Sequence, residues 1–458
     1  MRHILFFLLL TIPAFGQDIV PGTIVSSIAL DTDQKETYAL YLPRDYDENG
    51  NYPVVFVFDE TRAGDRAVQQ FTIGAELTKS IIVGANFPFK DSLKSGLKKT
   101  EKLVNTVYER YAIDENKIIL AGRGDGALVA SASAYLNQKV KGIIAINDAY
   151  IDKSLFTRSS KIRFVLISGD EGPHYYKMRG YHTVLKSSAS FAGFYEYEGG
   201  KDWPDAGFLS AAMVDILMNA GTPKEQVQEY YNSDLAFGEL LYRKQKHLSA
   251  FEFVKDLRPQ YKNSVELDLQ KELLKAIRAN AAFKAKRSKQ TSVKYAEILL
   301  AEDFQYYLEE DSKNSYFDNL GWWNFQMSDL DEKIDSTAVF EQERKASIRL
   351  KGFVKSITEE RYEEIKSQNP KISQLLFMNV LRTLVDPENQ QAFINAISLS
   401  AKEGDVDAAL FYLEELLKSG FTGYELLYNI DGTTALRIGE EWNAIVKGYL
   451  GKSKFYND

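Results

Sequence analysis

The chain has 458 residues, enough for two or three domains rather than one. Hydrophobic residues make up 45% and charged residues 26%, so a sizeable core is within reach and wholesale disorder is excluded. The formal charge of −8, with no block of Lys and Arg, argues against nucleic-acid binding, and the lack of cysteine excludes disulfides and thiolate sites.

In chain order, Arg2 and His3 give a basic start, Ile4 to Ile12 is apolar, and Ala14-Phe15-Gly16 places small residues where a signal peptidase reads them. Residues 1–16 therefore read as a signal peptide cleaved before Gln17. The apolar run is too short to span a membrane, and no later stretch is long enough. This start is similar to those of bacterial envelope proteins, which implies a periplasmic or extracellular protein.

Residues 17–221 carry the pattern of an α/β domain. Segments 23–30 and 36–42 alternate in polarity and predict an antiparallel hairpin at a sheet edge. Continuous apolar runs follow at 54–58, 81–85, 118–121, 143–146, 164–167 and 194–197, as in strands covered on both faces. Segments 97–111 and 127–136 between them read as amphipathic helices, so the expected fold is a doubly wound, mostly parallel sheet. The pattern changes at Asn219-Ala220-Gly221-Thr222-Pro223, where Gly221 can end a helix and Pro223 can start one. From 222 to 458 helical periods dominate. Near 391–420, Asn395-Ala396-Ile397 leads to Gly404-Asp405-Val406 and then Ala409, Leu410, Leu413 and Leu417. That segment resembles a tetratricopeptide-type helix pair, with small residues at the crossing and a Gly–Asp turn. A weaker echo runs from Asp234 to Leu257, with Ala250 in the close-packing position.

The most informative stretch is Lys117-Ile118-Ile119-Leu120-Ala121-Gly122-Arg123-Gly124-Asp125-Gly126-Ala127, a strand entering a glycine-bounded turn and then a helix. Here the chain resembles the α/β-hydrolase superfamily, in its secreted esterase and dienelactone-hydrolase-like branch. The resemblance covers about residues 20–220 and makes this turn the nucleophile elbow, G-x-S-x-G. Gly122 and Gly126 match the outer glycines, while Gly124 stands where the family has its serine. The acid of the triad would lie in Gly169-Asp170-Glu171-Gly172-Pro173, at Gly172 in strict register with Asp170 two residues earlier as an alternative. The histidine frame, Gly199-Gly200-Lys201-Asp202-Trp203-Pro204, has Lys201 in the histidine's place.

Three replacements inside frames that otherwise fit point to a lost triad. Glycine has no nucleophile, and a lysine cannot take a proton at neutral pH without a large pKa depression. Asp125 and the pair Asp59-Glu60 put negative charge where an oxyanion hole needs donors. A nucleophilic Asp125 would need the elbow to slip by one residue. His174, His182 and His247 fall at positions suited to packing or the surface. Asp59, Asp125, Asp148 and Asp170 all follow strands and could in principle gather a hard cation, but caps and turns explain them better, so neither metal nor cofactor is expected. The sequence thus predicts an exported pseudoenzyme acting as a binding or scaffolding module. It predicts a protein partner on the helical half, with Asp59, Arg123, Asp125, Lys201 and Trp203 lining a cleft for a small polar ligand. The alternative is an active ester or peptide hydrolase with a non-standard catalytic set.

Overall fold

The computed structural model describes residues 19–30, 35–88, 93–137, 139–152, 162–188 and 191–456. The proposed signal peptide and Gln17 lie outside them. Eight strands form one mixed sheet: β1 (Ile24–Ala29), β2 (Thr37–Tyr41), β3 (Tyr52–Asp59), β4 (Ile81–Ala85), β5 (Ile113–Arg123), β6 (Val140–Ile146), β7 (Arg163–Gly169) and β8 (Phe191–Tyr197). Their order is β1-β2-β4-β3-β5-β6-β7-β8. The edge pair β1–β2 is antiparallel, as the alternation predicted, and β2 joins β4 antiparallel. β3 lies parallel to both β4 and β5, with Phe56 opposite Val83 on one side and Leu120 on the other. Val54 to Phe58 are buried on both faces, which is why the run is apolar without alternation.

Between the strands come α1 (Gly64–Thr78), α2 (Leu93–Arg110), α3 (Asp125–Leu136) and α4 (Tyr175–Ser188), and α5 (Ala206–Leu217) follows β8. This is the expected α/β-hydrolase-like architecture. One expectation is corrected: α3 is not amphipathic. Ala127, Val129, Ala130, Ser131, Ala132, Ser133 and Ala134 are all buried, so the helix is covered on nearly every side and carries small residues to fit.

The rest is helical: α6 (Lys224–Arg243), α7 (His247–Tyr261), α8 (Asp268–Ala279), α9 (Ala281–Asn314), α10 (Leu320–Asp335), α11 (Glu341–Ser367), α12 (Ile372–Val385), α13 (Gln390–Glu403), α14 (Val406–Lys418), α15 (Tyr424–Leu427) and α16 (Glu440–Leu450). Phe304, Trp323, Leu350, Val354, Phe377 and Leu381 form one core of this region; Phe393, Ile397, Leu413, Leu417, Trp442 and Val446 form another. The helix pair read near 391–420 is α13–α14. Gly404 takes a left-handed φ of 80° between them, Asp405 caps α14 through Ala408 N, and Ala396 and Ala409 are fully buried. No described helix is long and apolar enough to cross a membrane.

The compact units do not follow the composition seam at 221. One gathers the described residues within 1–144, 161–163 and 206–217; the other gathers those within 145–160, 164–205 and 218–458. Helix α6 does start just after the seam, yet the C-terminal end of β6, all but the first residue of β7, and β8 belong with the C-terminal helices.

Candidate functional site

In the first unit, β5 delivers Gly122 and Arg123 into the turn and α3 leaves it. A Cβ on Gly122 would run into the backbone of Gly126 and Ala127, and one on Gly126 would strike the backbone of Phe58 and Asp59. Both outer glycines are therefore required by close approach of main chains. Gly124 sits at φ 56°, ψ −126°, a conformation that costs a non-glycine residue about 1–3 kcal/mol. Its carbonyl accepts from Ala127 N at 2.9 Å and opens the helix. The strained elbow backbone is intact, and its apex has no side chain.

That space is occupied. A Cβ on Gly124 would overlap the Glu60 carboxylate, whose Oε1 lies 3.0 Å from Arg123 Nη1. Arg123 also donates from Nε and Nη2 to Asp59 Oδ1, at 2.9 and 2.8 Å, and Thr61 donates to Asp59 Oδ2. Asp59 and Arg123 are 1% and 7% exposed, so both are enclosed and bound to each other. This corrects two expectations. Asp59 and Arg123 do not line an open cleft, and Asp59 is not an uncompensated negative charge. Asp125 is the first residue of α3 and half-buried, the helix end where a carboxylate is favoured.

The acid and histidine frames lie in the second unit. Gly172 closes a turn by donating to Gly169 O at 3.0 Å and is buried, with no side chain to orient a base. Asp170 is the carboxylate that the loop offers. Its Oδ1 accepts from Gly199 N at 3.0 Å and its Oδ2 from Lys345 Nζ of α11 at 2.8 Å. Burial alone would lower the Lys345 ammonium, but Asp170 and Glu341 hold it above its ordinary value. Arg344 reaches Glu171 at 3.0 Å, and Arg349 donates to Asp170 O at 2.7 Å while forking onto Glu297 at 2.6 and 2.7 Å. Where the fold would present an acid to a histidine, α11 presents three cations.

The loop carrying Lys201 and Trp203 is held from β6. Asn147, at a left-handed φ of 61°, donates to Tyr197 OH at 2.7 Å and accepts from Gly169 N at 2.9 Å. The Tyr197 hydroxyl in turn lies 2.5 Å from Asp202 O. Lys201 is exposed and Trp203 half-buried. A small cavity nearby, with room for roughly one water, is lined by Asp170, Glu198, Lys286, Glu341, Lys345 and Arg349.

Among the histidines, His174 Nε2 lies 3.7 Å from Asp148, which Lys177 binds at 3.0 Å. His182 stacks on Phe194, and His247 packs on Tyr242; burial lowers both rings' pKa values. Among the described residues, no three Asp, Glu or His side chains gather to hold a metal ion. Sequence reasoning noted Glu60 only as a charge after β3 and missed Asn147, Tyr197, Lys345 and Arg349. The reach of α11 to Asp170 spans 175 residues and leaves no local signal.

No family profile and no curated protein matches the chain. Among solved structures it is similar to a thermostable esterase, at 16% identity and TM-score 0.34, over 43% of this chain and 59% of the other. A ferulic acid esterase from Anaeromyces mucronatus in complex with ferulic acid matches at 17% identity and TM-score 0.35, over 43% and 90%. FphF, a fluorophosphonate-binding serine hydrolase of Staphylococcus aureus, matches at 10% and 0.36, over 43% and 100%.

Proposed function

We propose that this chain is an exported, non-hydrolytic α/β-hydrolase-like protein, a pseudoenzyme that works by binding or scaffolding. The observation that carries the reading is the elbow apex: Gly124 offers no hydroxyl, and the Glu60 carboxylate fills the space of the missing side chain. Lys201 in the histidine frame and Asp170 bound to Lys345 support it, since triad members act as a unit and the loss of one removes most of the rate. The basic, apolar and small-residue order of residues 2–16 supports export. The helical half supplies surface for a protein partner, and its α13–α14 pair supports a tetratricopeptide-like reading. A small polar ligand would meet Lys201 and Trp203 in the second unit.

A serine-directed fluorophosphonate probe tests the reading: the pure protein is expected to stay unlabelled and to hydrolyse activated esters at the background rate. Robust turnover abolished by changing Asp125 or Lys201 would establish an active ester or peptide hydrolase with a non-standard set instead. The one observation favouring that second reading is the elbow backbone, which keeps its strained conformation without a nucleophile to present.

A further inference from the structure

Losing a nucleophile leaves a gap at the apex of an elbow, and here the gap has a tenant from the preceding strand loop. Arg123 is set in place by Asp59, both of them enclosed, so its remaining Nη1 points at a fixed spot. Glu60 reaches that spot with Oε1, and its carboxylate then lies where a Cβ at 124 would be. The Glu60 side chain is 30% exposed against 8% for Arg123 and 1% for Asp59, so it is the outer member of the three. Only glycine at 124 satisfies both the left-handed backbone and the carboxylate beside it.

We propose that Glu60 is a built-in plug of the elbow, a contact in which Arg123 holds the carboxylate over the apex and closes it to any acyl group. This deepens the non-hydrolytic reading and rests on it: the turn is shut by an added contact as well as by a missing serine. Glu60 and Gly124 form a matched pair, and a side chain at either position is constrained by the other. A carboxylate is a fitting occupant because the guanidinium beside it is already oriented and costs little further ordering.

A double-mutant cycle on the full chain tests the pairing through thermal unfolding. Gly124→Ala introduces the same backbone strain in every background, but it meets Glu60 only when Glu60 is present. The drop in melting temperature from Gly124→Ala is therefore expected to be several degrees smaller in Glu60→Ala than in the wild type; equal drops overturn the proposal. A second measurement serves if the Gly124 variants fail to fold. Acetate, compared with chloride at equal ionic strength, is expected to raise the melting temperature of Glu60→Ala and to leave the wild type and Glu60→Gln unchanged. No differential response to acetate also overturns the plug. Fluorophosphonate labelling of the wild type would sink the non-hydrolytic reading itself, whereas an unlabelled protein with an additive cycle sinks only the plug.

Discussion

A half-buried carboxylate with a buried, unbonded oxygen resists ionisation, and Glu198 is in that position beside the small cavity. Its Oε1 is buried and unbonded, and burial lifts its pKa above the ordinary 4.5 although Lys345 and Lys286 pull it back. The folded state then holds this proton more tightly than the unfolded chain does. Stability from it is complete below 4.5 and declines as pH rises through the folded value. Glu198→Gln is expected to melt higher than the wild type at neutral pH, with the difference shrinking toward zero at about pH 4; a pH-independent difference would contradict this. Backbone contacts give a second residue-scale expectation. A methyl on Gly126 meets the main chain at Phe58, which cannot rotate away, so Gly126→Ala is expected to cost about 1–3 kcal/mol or more by chemical denaturation. Gly180→Ala, with nothing within 4 Å of the added carbon, serves as the control. The outer elbow glycines were legible in the sequence because the G-x-S-x-G spacing encodes close approach directly. Glu60 as the occupant was not, since its role depends on a rotamer and on Arg123.

Helix α11 is the element whose contacts bear most on the site. Its Arg349 fork onto Glu297 is enclosed, with side chains 12% and 4% exposed. Burial alone would lower the guanidinium's pKa, but the paired hydrogen bonds and charge of Glu297 push it up instead. Removing one partner leaves a buried charge, so Arg349→Met is expected to destabilise by about 3–5 kcal/mol. Arg349→Met combined with Glu297→Leu is expected to recover much of that loss in urea melts. Helix and strand centres were readable from sequence wherever burial covers a continuous run, as at Val54–Phe58 in β3. The character of α3 was misread because its Ser and Ala residues look polar or neutral in a string. In the fold they are small enough to be enclosed on all sides. The α11 clamp was illegible for a different reason. Salt bridges between residues more than 170 positions apart follow no periodicity.

The two compact units interleave along the chain, and this sets an expectation for truncation. A fragment ending at 221 keeps the loops after β7 and β8 but loses Lys345, Arg344 and Arg349, the cations bound to Asp170 and Glu171. Such a fragment is expected to unfold without a cooperative transition and to bind a hydrophobic dye, whereas the whole chain melts cooperatively. A sharp melt from the fragment would show that the α/β part is complete without its helices. The composition seam at 221 marks where strands give way to helices in sequence, but the compact units divide the strands differently. The same separation has a temporal side. The hydrogen bond from Lys345 to Asp170 joins positions 175 apart, and ribosomes add about 5–20 residues per second. During N-to-C synthesis the Asp170 loop therefore waits on the order of 10–35 s for its partner to be made. Over that interval Asp170 and Glu171 stay without the cations of α11, a window in which a holdase has an incomplete second unit to bind.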